Sequence, residues 1–372
     1  MKTVLLFFFI VTIFAATFGW IRYGGGSPYQ DLSTTPILSG AALEEVLAYP
    51  EPIGTVAVSP AGRIFFTVHP ESRPKGNRLL EFVDGAAVPY PNIEQQLELF
   101  DTVLGITVDS QNRLWTVDHG NHGMRAPRML AFDLLRDELV LDVRFPPDIA
   151  PAGSFLEDLV VSDDVGTVVI ADSSVWRKRP ALIVYDVETG AMRRVLEGMP
   201  PVSAEKYKIR SQDRDMTFLG GIVSYRGGVD GIALTPDWLY FAPLSGSGLY
   251  RVRLLDLRDE TLPDEHLINR VERYATKPLS DGLAVDAAGN IYVTDVEHNA
   301  IFVVDKSRDA RTLLRSNKIR WPEGVTLGPD GWLYVADSAM SELVLKSQQH
   351  IEAQAPYRVF RFKPAAAGVP AQ

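Results

Sequence analysis

One short pattern recurs six times between residues 54 and 337, and it narrows the folds open to this chain. The clearest copies are Asp281-Gly-Leu-Ala-Val-Asp-Ala-Ala-Gly-Asn-Ile-Tyr-Val-Thr-Asp295 and Glu323-Gly-Val-Thr-Leu-Gly-Pro-Asp-Gly-Trp-Leu-Tyr-Val-Ala-Asp337. A third copy starts at Leu104 and closes at Asp118. A fourth starts at Asp230, with a turn one residue shorter. The copies starting at Gly54 and at Glu157, the latter closing at Asp172, are degenerate. In each, an apolar, β-branched run meets a turn built from Asp, Gly, Asn or Pro, and an aromatic, β-branched run follows. That is the grammar of a β-hairpin. The starts lie 50, 53, 73, 51 and 42 residues apart, close to the ~40–50 residues of one four-stranded propeller blade. A solenoid needs shorter and more uniform units, and two sandwiches would not repeat one hairpin six times. The expected fold is therefore all-β: a six-bladed β-propeller with four-stranded blades over residues 43–366, preceded by one N-terminal apolar helix. Ring closure requires both chain ends to share a blade, and residues 45–49 or 357–362 read as strands able to complete it. Trp115, Tyr240, Tyr292 and Tyr334 share one repeat position and read as core between blades. The long interval before Asp230 lies in residues 199–228, either a solvated excursion or a flap over the channel mouth.

The N-terminus addresses the chain to a compartment. Residues 3–21 carry no charge and are closed by Arg22. As a helix this run would be roughly 28 Å long, close to the ~30 Å apolar core of a bilayer. It reads as an uncleaved anchor or a cleaved signal, with Ala15-Ala16-Thr17 a mediocre cleavage site. Both readings place the rest of the chain outside the cytoplasm, periplasmic or secreted, and the first attaches it to the membrane. Residues 23–42, with Gly24-Gly25-Gly26 and Ser27-Pro28, read as a linker, and residues 367–372 as a tail. The net charge of −10 argues against nucleic acid as a partner, because phosphate binding needs a basic face. There is no cysteine, which excludes disulfides, thiol nucleophiles and thiolate metal sites.

The repeat also aligns its acids. The starting position is acidic in Glu157, Asp230, Asp281 and Glu323, and the closing position in Asp118, Asp172, Asp295 and Asp337. Both free ends of a hairpin lie at one sheet edge, so these carboxylates are expected at one mouth of the channel. Asp before Gly commonly serves a turn by bonding its own backbone, and the closing set suits that structural role better. Four converging starting carboxylates repel one another unless a cation sits among them. Hard oxygen ligands suit Ca²⁺ first, then Mg²⁺ or Mn²⁺. Glu157, Asp230, Asp281 and Glu323 are therefore the candidate metal ligands. Asp118, His119, Asp172, Asp295 and Asp337 are the candidate contacts for a small-molecule ligand. His119-Gly-Asn-His122 has a zinc-like spacing but no helix and no third ligand nearby, and reads as a mouth loop. Ser245-Gly-Ser-Gly248 lacks the strand–turn–helix setting of a nucleophile elbow.

The stretch Gly228-Val-Asp-Gly-Ile-Ala-Leu-Thr-Pro-Asp-Trp-Leu-Tyr-Phe-Ala-Pro-Leu-Ser-Gly-Ser-Gly-Leu-Tyr-Arg-Val252 resembles the major royal jelly protein and yellow family, as does Lys277-Pro-Leu-Ser-Asp-Gly-Leu-Ala-Val-Asp with Asp295-Val-Glu-His-Asn-Ala-Ile301. Looser likeness extends over about residues 51–339. One departure is Glu157-Asp158, where the family usually has Asn-Asp. The resemblance implies a six-bladed propeller outside the cytoplasm. Some relatives look like binders of small amines, and others carry labels related to dopachrome conversion. The wider group is similar to the gluconolactonase and regucalcin propellers, metal-dependent lactone hydrolases whose metal ligands occupy the starting position. Three functions follow as expectations. The first is binding of a small organic molecule, an amine or a lactone, at the channel mouth. The second is divalent-metal-dependent hydrolysis of a lactone or related ester, and the third a dopachrome-type tautomerisation.

Overall fold

Each of the six hairpins extends into a four-stranded antiparallel sheet, and the six sheets close a ring. The structure, a computed structural model, describes residues 2–364, with side chains from Phe7; the expected tail lies outside the described residues. Blade 1 comprises Ile53–Val58, Ile64–Val68, Leu79–Val83 and Ala86–Pro89. Blade 2 comprises Val103–Val108, Arg113–Asp118, Arg128–Asp133 and Glu138–Arg144. Blade 3 runs through Leu156–Val161, Thr167–Asp172, Ala181–Asp186 and Met192–Val195. Blade 4 has Val229–Leu234, Trp238–Pro243, Gly248–Arg253 and Glu272–Thr276. Blade 5 has Leu283–Val285, Ile291–Asp295, Ala300–Val304 and Ala310–Arg315. Blade 6 is shared between the two ends of the chain. Pro322–Leu327, Leu333–Asp337 and Tyr357–Phe362 are completed at the rim by Glu44–Tyr49. The two closing segments expected from the sequence are thus both used.

The first strand of every blade is innermost, and these strands pack in cyclic order around the axis. Between blades the aliphatic faces interdigitate. Trp115, Val117 and Met129 of blade 2 pack on Leu156, Val168 and Ile170 of blade 3, and Tyr292 and Ile301 of blade 5 on Leu333 and Phe360 of blade 6. The aromatic repeat position is buried as expected, and in blades 2, 5 and 6 its polar tip is satisfied by a turn aspartate. Trp115 Nε1 donates to Asp109 at 2.7 Å and the Tyr292 hydroxyl to Asp286 at 2.8 Å.

The N-terminal helix spans Lys2–Tyr23 and leaves Phe7, Phe8, Phe9, Phe14 and Ile21 exposed. The expected anchor includes residues 3–6, whose side chains lie outside the described set. Among the described residues no helix is long and apolar enough to cross a membrane. The stretch read as a linker runs along the body of the ring. Ile37 and Leu38 bond backbone to backbone with Thr312 and Leu313 of blade 5, and Ser27–Pro28 pairs in parallel with Tyr207–Lys208 of the long insertion.

Candidate functional site

Local strand geometry turns the starting residues toward the axis. In blades 1, 2, 3, 4 and 6 the register of the innermost hairpin slips just where the starting residue sits, for example between Leu156 and Leu159 and between Pro322 and Val325. A β-bulge of this kind re-aims a side chain. The next repeat position is Gly105, Gly231, Gly282 or Gly324 in four blades, because the neighbouring inner strand closes in there. A Cβ on Gly231 would stand 2.3 Å from the Asp281 carbonyl oxygen, and one on Gly282 2.5 Å from that of Glu323.

The result is a buried acidic ring. Glu157, Asp230, Asp281 and Glu323, from four successive blades, are 3–7% exposed. Ligand oxygens of Glu157, Asp230 and Asp281 all lie within 4.8 Å of one another, and a second group within that distance joins Glu157, Glu323 and His69. Blades 1 and 2 contribute no acid, only Gly54 and Leu104. His69, just after the second strand of blade 1, fills part of that gap. Its Nδ1 accepts the Glu71 backbone N–H, which leaves the proton on Nε2, and Nε2 donates to Glu323 Oε1 at 3.0 Å. Ser338 Oγ donates to the other oxygen of Glu323 at 2.5 Å. Trp321 Nε1 donates to Asp281 Oδ2 at 2.6 Å. Glu157 Oε2 is buried with no hydrogen-bond partner.

These surroundings govern the charge. Burial first, then the charges of Asp230, Asp281 and Glu323, pushes Glu157 well above the usual carboxylate range. Burial first, then neighbouring carboxylate charges, raises Asp230 and Asp281 well above the usual carboxylate range as well. The nearby buried cation is Lys277. Desolvation pulls its ammonium down to about 7 against the opposing pull of Glu205, Asp230, Asp295 and Asp281, and its Nζ donates to the Pro278 carbonyl.

The insertion at residues 199–228 decides which mouth is open. It lies over the ring: Ile209, Met216 and Tyr225 are buried in one cluster with Phe155, Val175, Leu244, Leu279, Val296 and Trp321. The Tyr225 phenol is raised by burial and by the charges of Glu157, Asp230 and Asp281. Ties to three blades hold the insertion down. Glu205 accepts from the backbone and hydroxyl of Ser247, the Arg210 N–H donates to Glu297, Gln212 donates to Asn299, and Arg214 pairs with Glu342. The ring therefore sits under a lid, where the sequence had left an excursion or a flap open. A cavity of about 220 Å³ runs from the ring along the inner strands to Val160, Leu234, Val285 and Leu327 at the turn side. No aromatic side chain lines it.

The closing aspartates do not line this cavity. Asp118 accepts from the Asp101, Thr102 and Gly120 backbone. Asp172 takes the Phe155 N–H and Arg194. Asp295 takes the backbone of Glu297 and His298 and the His298 ring. Asp337 takes Arg320 and the Trp321 N–H. Each is spent fastening a loop to its own hairpin. His119 is buried against Phe155 and His122, and burial lowers its pKa well below the usual imidazole value. Its Nδ1 accepts the His122 N–H and its Nε2 has no partner. Sequence reasoning missed His69, Trp321, Ser338, Tyr225 and Lys277. His69 and Ser338 carried a usable signal, since they share the repeat position of His119, one residue past the closing position.

Comparison with known proteins fits this geometry. The family model for major royal jelly proteins matches residues 101–359, more than half of the chain. The chain belongs to the major royal jelly protein family. It is 30% identical to major royal jelly protein 3 of Apis mellifera over 156 residues, 40% of this chain and 27% of that protein. It is 27% identical to major royal jelly protein 1 of the same species over 197 residues, 47% and 43% of the two chains. The chain thus matches less than half the length of these royal jelly relatives. In fold it is similar to a gluconolactonase from Xanthomonas campestris, with TM-score 0.54, 15% identity and 91% and 98% of the chains covered. It is equally similar to a calcium-binding regucalcin from Agrobacterium tumefaciens, with TM-score 0.54, 14% identity and 88% and 95% covered. At that identity the likeness speaks for the fold of this royal jelly family member alone.

Proposed function

We propose that this chain is an extracytoplasmic royal jelly family propeller that binds a small organic molecule in its central channel, over a divalent cation held by Glu157, Asp230 and Asp281. The observation that carries the reading is Glu157 Oε2, a buried oxygen with no partner beside two further buried carboxylates. An unpaired acceptor in such a place is costly, and a cation removes the cost. Ca²⁺, Mg²⁺ and Mn²⁺ suit an all-carboxylate set. An organic ammonium would want an aromatic wall, and the channel lining has none. The apolar segment at residues 3–21 supports export, and a reporter fused at the C-terminus and active only in the cytoplasm is expected to stay silent.

The test is metal analysis of the purified protein with melting in excess chelator. A native-state ligand stabilises by mass action, so chelation should lower the melting temperature. Asp281→Asn should weaken cation binding by tenfold or more, since it removes a charged ligand at constant size. Metal-free protein whose melting ignores chelator overturns the reading.

A second reading, hydrolysis of a lactone, rests on Glu323. This carboxylate is held at both oxygens by His69 and Ser338, next to the proposed cation set. When bound, the cation would polarise an ester carbonyl, and Glu323 would be placed to take a proton from water. Metal-stimulated turnover across a panel of sugar and aryl lactones, lost in Asp281→Asn, supports hydrolysis. Calorimetric binding of an amine or lactone without turnover supports a binding protein.

A further inference from the structure

Among the described residues the cavity beside the acidic ring is lined only by the inner strands, and one acidic residue along it breaks the repeat. Below the ring, the position after each starting residue is glycine in four blades, where a Cβ would strike the neighbouring inner strand. Blade 1 has Thr55 there and blade 3 has Asp158, and both line the cavity. Asp158 is the one charged side chain of the lining besides the four ring acids. As a residue it is partly exposed, where the ring acids are buried, although its carboxyl group is itself desolvated, which pushes its pKa up to about 7. Exposure follows the same gradient along the inner strands: Thr107, Val160, Leu234, Val285 and Leu327 at the turn side are partly exposed, and no residue of the insertion lines the cavity. Asp158 Oδ1 accepts the Leu159 N–H at 2.9 Å and Oδ2 the Ile232 N–H at 3.4 Å, so lone pairs on both oxygens are left for a ligand. One residue back along the strand is Glu157, whose Oε2 has no partner.

We infer that Asp158 is a second cation station, through which a hydrated divalent ion entering from the turn-side mouth is passed to Glu157 and the ring. This rests on the cation reading of the ring and adds the route and the residue that serves it. Asp158 carries the negative field of the ring acids one step toward the turn-side mouth, and the low-dielectric walls of the channel focus it. Apart from the ring acids, the other side chains of the lining are uncharged. The ring itself stays shut from the other side by Tyr225 and the ties of Gln212 and Arg214.

The experiment is stopped-flow loading and chelator stripping of the full chain with Ca²⁺, Mg²⁺ and Mn²⁺ alone. Asp158→Gly restores the residue that four other blades carry, so the fold should hold, and Asp158→Asn keeps the size. Both should slow loading about tenfold and slow stripping alongside it, because a station on the route serves both directions. The double variant Gln212→Ala with Arg214→Ala, which loosens the lid, should leave both rates unchanged. Faster stripping in the Asp158 variants with unaltered loading would make Asp158 an ordinary ligand of the ring and overturn the route. Faster loading in the lid variant would overturn it also. If no ion binds the wild type, the cation reading falls first and this inference with it.

Discussion

Asp295 shows how a recurring acid is diverted from chemistry to structure. Its two oxygens take the backbone of Glu297 and His298 and the His298 ring, so little acceptor capacity is left for a ligand. The neighbouring imidazole carries the consequence. The hydrogen bond to Asp295, and then its charge, raises the His298 pKa above its usual value. A raised folded-state pKa stabilises most below the unfolded value of ~6.5, and the effect is lost as pH climbs through the folded one. His298→Gln is therefore expected to cost about 0.5–1 kcal/mol at pH 5.5, allowing for partial solvent screening, and close to nothing at pH 9. Urea unfolding at the two pH values measures it. Equal losses at both would assign His298 a packing role only. The ring acids differ from Asp295 in one respect. For Glu157, Asp230 and Glu323 the bulge turns the side chain off the sheet edge, so protons, side-chain donors or a cation must satisfy the ring acids.

At the scale of the element, the innermost hairpin does the positioning. Its bulge aims the starting residue, and its glycine lets adjacent inner strands approach within contact of each other's backbone. Gly282→Ala places a Cβ 2.5 Å from the Glu323 carbonyl oxygen, a backbone atom that can retreat only if blade 6 moves. The substitution should cost about 2–3 kcal/mol and displace Glu323 relative to Asp281, so thermal stability and cation affinity should fall together. Stability lost with affinity intact would mean that the ring tolerates the shift. The long insertion is the second element of note. Sequence showed it as a length anomaly with scattered Lys and Arg; the fold shows apolar Ile209, Met216 and Tyr225 pointing at the ring and polar residues bridging the rim. Its face could not be read beforehand because its strands are two residues long and carry no periodicity.

For the whole molecule, closure is the decisive event. Glu44–Tyr49 covers the outer edge of Tyr357–Phe362, with Leu47 buried beneath it. Deleting residues 1–49 would leave that edge bare in blade 6. An open edge pairs with other chains, so the truncated protein should melt lower and elute as oligomers in size-exclusion chromatography. A monomer of unchanged melting temperature would show that blade 6 closes without its fourth strand. The sixfold ring itself was legible from the chain, because one hairpin written six times at blade spacing has no other compact solution. So was the alignment of Glu157, Asp230, Asp281 and Glu323, because equal repeat positions become equal heights on the axis. Three things were decided only in three dimensions. His69, Trp321, Ser338 and Lys277 reach the acids from loops that ring closure brings together. The closing aspartates found N–H groups in their own loops, and contact of that kind depends on loop conformation rather than on spacing. The open mouth of the channel was chosen by the lid, through apolar contacts among blades far apart in the chain. Repetition is a property of sequence, whereas proximity between non-repeating segments is created by the fold.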